Sequence, residues 1–327
     1  MPSRLFTAPF RDVVIGAGDA TGTKAARGPL ARASLSPPER FYSTDRQGPI
    51  TVAVSDGYRP LDKAFVQPYV DFLASRAHGA ELTRLTLLVV TPEELPEACA
   101  PGALACYIPA QELMVIPGGQ TPAGQVPIEY VITHEYGHHV AANRSNDPWA
   151  AIGWGPKAWA TQRGVCAGVA ERRYFPNDQG DNYRSNPGEN WAETYAQLHY
   201  RNQFPWEFDP SFTPDEAAFA TAQRDISAPW SRNVSRRRSG SLTSTRRTKS
   251  FSVTTTLDGR IRLSLKGPGR ANFDLQILRG GRVVARSRRS GSRDTLTATD
   301  CQVRRFTVRV VRRSGSGPFT LRVQTPG

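Results

Sequence analysis

Residues 127–143 read PIEYVITHEYGHHVAAN, a stretch that combines the features of a helix with three side chains able to do chemistry. It opens with a proline, which suits the first position of a helix, and apolar residues run through its body. Gly137 is the one residue in it that disfavours a helix. We therefore predict a helix over this stretch. His134, Glu135 and His138 lie within it and form the pattern His-Glu-x-x-His.

Two histidines four residues apart on a helix lie on one face, so His134 and His138 can bind the same metal ion. Glu135 lies to the side of the pair, where it can take a proton from a water bound by the metal and pass it to a leaving amine. With 5 His and 13 Glu in the chain, shuffling would produce the pattern in about 3 of 1,000 chains. The pattern therefore predicts a site for one catalytic Zn²⁺ ion.

A catalytic zinc usually has three protein ligands, so a third is expected elsewhere in the chain. The metzincin pattern requires a third His where Arg144 stands. A later stretch, NPGENWAETYAQLHY (186–200), predicts a helix from about Glu189 that has Glu189 and Glu193 on one face. One can bind the metal and the other can orient a ligand His through its free N–H. The spacing leaves open which residue does which.

HEYGHHV and the later YRSNPGENWAE together resemble the gluzincin-type zinc metallopeptidases, most closely the catalytic core of the anthrax lethal factor group. The resemblance covers roughly residues 127–200 and implies a zincin-like metalloprotease domain. It implies that Glu189 is the third zinc ligand and that Glu193 supports a ligand from behind. It also implies that Tyr183 donates a hydrogen bond to the oxyanion of the reaction. It indicates a peptide or protein substrate without specifying which one.

The other histidines have weaker patterns. His139 is expected to lie behind the ligands or on the surface rather than to bind metal. His199 follows Glu189 by ten residues and can approach the site. His78 is expected at the end of a helix, where the helix dipole favours a histidine.

Strand patterns come before the motif. ITVAVSD (50–56) and LTRLTLLVV (82–90) predict strands, with helical spacing between them. ELMVIPG (112–118) predicts another strand, and as an edge strand it can hold an extended substrate. Strands followed by helices predict an α+β catalytic domain, mixed sheet plus active-site helices, over residues 46–230. Residues 1–45 are rich in Pro, Gly, Ala and Arg and predict an extended N-terminal arm.

Two further helices are predicted after the motif. One runs from about 156 to 174. The other begins at Thr213 and Pro214, because Thr213 and Glu216 have the spacing of a capping box and Pro214 suits the first helical position.

The net charge of +13 is divided unevenly along the chain. Residues 231–327 carry 23 Lys and Arg against 4 acidic residues, and the preceding residues carry 19 against 25. The Ser/Arg-rich stretch 231–250 contains almost no apolar side chains and predicts a linker. Residues 251–327 consist of short alternating runs separated by glycine turns, which predict a small all-β sandwich.

Residues 301–326, CQVRRFTVRVVRRSGSGPFTLRVQTP, resemble the pre-peptidase C-terminal domains of secreted bacterial proteases. That resemblance implies an accessory role in secretion, substrate approach or attachment. The arginine excess predicts contact with a polyanionic partner such as cell-wall polymer, extracellular DNA or an acidic protein, and a solvated basic surface is the alternative. The sequence contains no specific nucleic-acid motif. The four phenylalanines of the domain are expected to face its core rather than to stack on bases.

The four cysteines predict two disulfides, Cys99 with Cys106 and Cys166 with Cys301, and free thiols are the alternative. Disulfides imply an oxidising compartment, so a bacterial extracellular location is expected although residues 1–30 contain no signal peptide. No run of 18 apolar residues occurs, which excludes a membrane-spanning helix of that kind.

Together these patterns predict a secreted zinc-dependent endopeptidase with Glu135 as its base. Two alternatives remain open at this stage. One is a polyanion- or cell-surface-binding protein with an inactive or structural zinc site, and the other is a zinc amidase that acts on cell-wall peptide. Glu135 favours an enzyme, because a structural site has no need of a base.

Overall fold

The computed structural model describes residues 35–119, 126–302 and 305–327. The chain divides into two compact units, residues 1–230 and residues 231–327, each with its own hydrophobic core. The first 34 residues of the predicted N-terminal arm lie outside the described residues. Residues Glu39–Phe41 of that predicted arm form a strand and Phe41 is buried, so this part belongs to a sheet rather than to an extended arm.

A five-stranded mixed sheet lies in unit 1. Its strands are β1 (Glu39–Phe41), β2 (Ile50–Val54), β3 (Thr86–Val90), β4 (Cys106–Ile108) and β5 (Leu113–Pro117). The spatial order is β1-β2-β3-β5-β4, in which β2, β3 and β5 are parallel and β1 and β4 pair antiparallel at the two edges. The expectation that the ELMVIPG stretch is an edge strand is therefore wrong. β5 lies inside the sheet because β4 pairs with its outer side.

The described residues of unit 1 also form eight α-helices. They are α1 (Lys63–Ala74), α2 (Leu95–Ala98), α3 (Ile128–Ala142), α4 (Ala151–Trp154), α5 (Lys157–Gln162), α6 (Val165–Ala170), α7 (Pro187–His199) and α8 (Glu216–Ser227). Two short strands, β6 (Ser145–Asn146) and β7 (Trp149–Ala150), form a hairpin after α3. The mixture of sheet and helices agrees with the predicted α+β class, and α3 matches the helix predicted at 127–143.

Two of the other predicted helices have different limits. The helix predicted at 156–174 is divided into α5 and α6 by Gly164, whose φ of +65° is a left-handed conformation that ends α5. The last helix begins at Glu216 and not at Thr213. Asp215 caps it by accepting a hydrogen bond from the backbone N–H of Ala218, so a carboxylate nearer the helix replaces the predicted threonine cap.

Helices α3 and α7 pack closely through Gly137. A methyl group added at Gly137 would lie 2.9 Å from the Cα of Ala192, so the glycine permits the two backbones to approach. The indole N–H of Trp191 donates a hydrogen bond of 2.8 Å to the Gly137 carbonyl. This contact fixes the two helices that carry the predicted metal ligands against each other.

Unit 2 consists of two four-stranded antiparallel sheets, as expected for a β-sandwich. The strands are β8 (Val234–Leu242), β9 (Thr248–Thr254), β10 (Gly259–Lys266), β11 (Asn272–Arg279), β12 (Arg282–Ser287), β13 (Arg293–Asp300), β14 (Arg305–Ser314) and β15 (Gly317–Thr325). One sheet has the order β13-β10-β15-β8 and the other the order β12-β11-β14-β9. Phe273, Phe306 and Phe319 are buried and Phe251 packs against them, so the phenylalanines face the core as predicted.

The predicted linker at 231–250 is wrong, because most of it forms strands. Residues Val234–Leu242 pair with β15 over nine positions, from Val234 opposite Thr325 to Leu242 opposite Gly317. Leu242 is buried, whereas the arginines and serines before it are exposed. Backbone hydrogen bonds to a neighbouring strand allow an edge strand to form even when few of its side chains are buried. Amino-acid composition does not reveal this pairing.

The predicted disulfide between Cys99 and Cys106 is confirmed. None of the four cysteines is a free thiol. No helix among the described residues is both long and apolar enough to cross a membrane.

Candidate metal centre

Helix α3 carries two of the predicted ligands on one buried face. The rings of His134 and His138 have centroids 5.1 Å apart, and both side chains are fully buried. The spacing of four residues places the rings one helical turn apart, as the sequence predicts.

Helix α7 brings Glu189 to these histidines. Asn186 caps α7 by accepting a hydrogen bond from the N–H of Gly188, which places Glu189 in the first turn. Its Oε2 lies 3.6 Å from Nε2 of His134 and 3.2 Å from Nε2 of His138. The three ligand atoms all lie within 4.8 Å of one another, so this buried group could hold a metal ion.

The donor types, and the two distances from Glu189, are compatible with a tetrahedral zinc ion. Zn–N and Zn–O bonds of about 2.0–2.1 Å at tetrahedral angles separate neighbouring ligand atoms by roughly 3.4 Å. The two distances from Glu189 Oε2, 3.6 and 3.2 Å, lie on either side of this value. Two imidazoles and one carboxylate are also ligands that zinc accepts, with a fourth position left for water or substrate.

Glu193 lies one turn after Glu189 and contacts the back of a ligand. Its Oε2 is 3.0 Å from Nδ1 of His134, and its Oε1 accepts a hydrogen bond from the hydroxyl of Tyr130. Gln197 donates in turn to the Tyr130 oxygen at 3.0 Å. With Nδ1 of His134 held by a carboxylate, Nε2 is directed towards Glu189 and His138. Burial and the neighbouring Glu193 raise the pKa of Tyr130 well above its ordinary value, so it donates as a neutral phenol.

Sequence reasoning missed Tyr130 and Gln197. Each has a spacing that could have indicated its position, since Tyr130 precedes His134 by one turn and Gln197 follows Glu193 by one turn. Their mutual hydrogen bond, however, depends on the packing of α3 against α7.

Two further side chains hold Glu189. Its Oε1 accepts a hydrogen bond of 3.1 Å from the amide of Gln179, and its Oε2 lies 3.2 Å from the hydroxyl of Tyr183. Tyr183 belongs to a 3₁₀ turn, Tyr183–Ser185, immediately before α7. The structure therefore places Tyr183 beside the same oxygen that faces the two histidines.

Phe208 covers one side of the centre. It stacks on His134 with ring centroids 5.9 Å apart, and it also contacts the ring of Tyr183 at 5.7 Å. A small, mostly apolar pocket lies next to it, lined by Val126, Tyr130, Glu193, Phe204, Pro205, Glu207 and Phe208. Glu135 follows His134 on α3 and is fully buried.

The remaining histidines contact other parts of unit 1. His139 is fully buried rather than on the surface, with its ring nitrogens 3.0 Å from the Tyr107 hydroxyl and 2.8 Å from the Glu81 carbonyl. Burial lowers the pKa of His139. His199, the last residue of α7, accepts a hydrogen bond from the backbone N–H of Ala77. His139 and His199 thus support the packing of the helices around the site.

Comparisons with known proteins do not place the chain in a family. No family model matches it, and no curated protein matches it. Among solved structures, matches include the pre-peptidase C-terminal domain of collagenase from Bacillus anthracis, with 15% identity, 28% of this chain and 88% of that chain covered, and a TM-score of 0.24. The Yersinia pseudotuberculosis-derived mitogen matches with 14% identity, 28% and 86% coverage and a TM-score of 0.24.

A third match is PliG from Aeromonas hydrophila, a periplasmic lysozyme inhibitor of g-type lysozyme. It has 15% identity, 28% and 86% coverage and a TM-score of 0.22. TM-scores this low carry no argument about function, which is therefore argued from the site.

Proposed function

We propose that this protein is a secreted zinc-dependent endopeptidase with a zincin-like catalytic domain. The proposal rests on His134, His138 and Glu189, whose ligand atoms lie close together in a buried cluster. Glu135 lies on the same helix as the two histidines. This is the donor set of catalytic zinc sites that hydrolyse peptide bonds. A zinc ion bound there would acidify the attacking water and polarise the substrate carbonyl.

Each residue of the site has a role in this reaction. Glu135 accepts the proton of the attacking water and delivers it to the leaving amine. Tyr183 donates a hydrogen bond to the oxyanion that develops on the substrate carbonyl. Glu193 holds the Nδ1–H of His134, which keeps that imidazole in the tautomer whose Nε2 binds the metal.

One observation supports secretion, and a second supports a catalytic metal site. The disulfide between Cys99 and Cys106, together with the absence of free cysteines, is typical of proteins in oxidising compartments. Gln179 and Tyr183 both contact Glu189, so the proposed third ligand is held from two sides. Pre-formed ligand positions of this kind are expected of a catalytic site.

The experiment measures zinc content and cleavage of casein and of a quenched peptide by the full chain. Wild type should bind one zinc ion and cleave. Glu135→Gln should keep its zinc and lose about 10³-fold or more in kcat, because the general base is removed. Glu189→Ala should lose zinc. Glu129→Gln is the matched control, because Glu129 lies on the same helix with an exposed side chain.

Three results would contradict the proposal: a wild type without bound metal, full activity in Glu135→Gln, or loss of activity in Glu129→Gln equal to that in Glu135→Gln. Cell-wall peptide is assayed in parallel, and its cleavage without cleavage of casein or of the quenched peptide would instead identify an amidase.

A further inference from the structure

All the acidic side chains of unit 2 are buried. The unit has four acidic side chains, and each is at most 3% exposed: Asp258, Asp274, Asp294 and Asp300. Asp274 pairs with Arg313 and Asp300 with Arg279, while Asp294 accepts hydrogen bonds from two backbone N–H groups. Since the unit has 23 Lys and Arg, its exposed side-chain charges are positive.

One sheet face gathers many of these cations. In the sheet β13-β10-β15-β8, directly opposite residues share a face, and the pairings give three complete ranks across the four strands. The ranks are Thr297–Arg262–Gln324–Ser235, Thr295–Ser264–Arg322–Arg237 and Arg293–Lys266–Thr320–Ser239. All of these side chains are exposed except Gln324, which is half-buried. We call these twelve residues the cationic face.

The composition of the cationic face is unusual for an ordinary solvated surface. It contains only Arg, Lys, Ser, Thr and Gln, and no acidic side chain alternates with the cations. Solvated sheet faces usually mix both signs of charge, because unpaired cations repel one another. Arg262, Arg322 and Arg237 present guanidinium groups, which bind sulfate, phosphate and carboxylate in a bidentate manner.

The dimensions of the cationic face favour an extended polymer over a DNA duplex. Strands lie about 4.8 Å apart and alternate residues about 6.8 Å apart, so four strands span roughly 14 Å before side chains are added. The major groove of about 12 Å admits a helix or a two-stranded ribbon, so a face this wide could contact a duplex only along its phosphates and not read its bases. The face also has no aromatic side chain on which the bases of a single strand could stack. Its serines and threonines can hydrogen-bond sugar hydroxyls between the anionic groups.

We propose that the cationic face binds a linear anionic polysaccharide through its sulfate, phosphate or carboxylate groups. The arginines hold the anionic groups, and the hydroxyl side chains contact the sugars between them. This surface is independent of the proposed peptidase site, and Glu135→Gln should bind the polymer as wild type does.

The test compares two triple variants of the full chain. Arg237→Thr, Arg262→Thr and Arg322→Thr together remove three cations from the cationic face with a residue that favours strands. The matched control is Arg270→Thr, Arg288→Thr and Arg289→Thr, which removes the same charge from exposed positions in loops of the same unit. Binding to dextran sulfate, polygalacturonate, neutral dextran and a 20-bp DNA duplex is measured over a range of salt concentrations.

Wild type should bind at least one of the two anionic glycans at least tenfold more tightly than the duplex, and neutral dextran not at all. The triple variant of Arg237, Arg262 and Arg322, called the face variant, should bind the glycan at least tenfold more weakly. Its slope of log affinity against log salt concentration should be shallower by about one unit for each contact removed. The control should change less than threefold. Comparison of dextran sulfate with polygalacturonate then separates sulfated from carboxylated sources.

Equal losses in the two variants would overturn the proposal, because net charge alone would then explain binding. Tighter binding of the duplex, or no binding of either glycan, would also overturn it. If the face variant has a lower melting temperature than the control, Arg262→Thr and Arg237→Thr are measured singly against Arg270→Thr, with a fall in affinity expected only on the face.

Discussion

Oε2 of Glu193 lies 3.0 Å from Nδ1 of His134, although 59 residues separate them in the chain. Because one ring nitrogen of His134 is held by this carboxylate, only Nε2 remains to face Glu189 and His138. The contact joins α7 to α3 at the candidate metal centre and distinguishes the position of Glu193 from that of Glu189.

We expect Glu193→Gln to weaken zinc binding by about 10- to 100-fold, since a neutral amide holds the imidazole N–H less strongly than a carboxylate. Tyr130→Phe removes one hydrogen bond to Glu193 and should have a smaller effect in the same direction. Competition with a chromogenic chelator measures both affinities. An unchanged zinc affinity in Glu193→Gln would show that this contact does not support the ligand.

We expect Tyr183→Phe to lower kcat by about 10²- to 10³-fold with zinc retained, because a hydrogen-bond donor to the oxyanion would be lost. Tyr42→Phe is the control, since Tyr42 is exposed. Kinetics and metal content are measured on the same preparations. Loss of zinc from Tyr183→Phe would show instead that its hydrogen bond to Glu189 is structural.

We expect Gly137→Ala to destabilise the protein by about 1–3 kcal/mol and to weaken zinc binding. The added methyl would lie 2.9 Å from the Cα of Ala192 and 3.0 Å from the Cβ of Tyr195, so α3 and α7 would have to separate. Gly269→Ala is the control, because nothing lies within 4 Å of a methyl group there. Denaturant unfolding measures the two free energies, and equal values would argue against close backbone contact.

We expect His199 to make the protein less stable in mild acid. Burial lowers the pKa of His199 from 6.5 to about 4, so the folded protein binds this proton less readily than the unfolded chain. The stability that His199 contributes is therefore complete above pH 6.5 and is lost as the pH falls towards 4. The free energy of unfolding of wild type should fall by up to about 3 kcal/mol more than that of His199→Gln over this range. Equal pH profiles would show that His199 titrates normally.

The sequence was sufficient to identify the candidate ligands that the structure brings together, because their spacing is local. His134 and His138 are four residues apart on one helix, and the helix with Glu189 and Glu193 repeats this spacing. The choice between Glu189 and Glu193 needed the family resemblance. In the structure Glu189 lies against Nε2 of both histidines, whereas Glu193 contacts Nδ1 of His134. Tyr130 and Gln197 could not be predicted, because their hydrogen bond joins residues 67 positions apart.

Composition misled the prediction at 231–250. A stretch with almost no apolar side chains predicts a linker. However, β8 is held by backbone hydrogen bonds to β15, and side-chain composition gives little information about backbone pairing. The beginning of α8 shows a similar limit. Thr213 and Asp215 are both acceptable caps by residue type, and only the path of the chain decides between them.

The burial of every acidic side chain in unit 2 has a consequence for how that unit responds to its surroundings. Residues 231–327 contain no histidine or tyrosine, so the exposed charges there are arginine and lysine, which stay protonated up to about pH 10. Acidification of the medium would leave this surface charge unchanged, whereas added salt would screen it. Attachment through unit 2 would therefore be released by added salt, and acid would release it only where the partner's own anionic groups are carboxylates that become protonated.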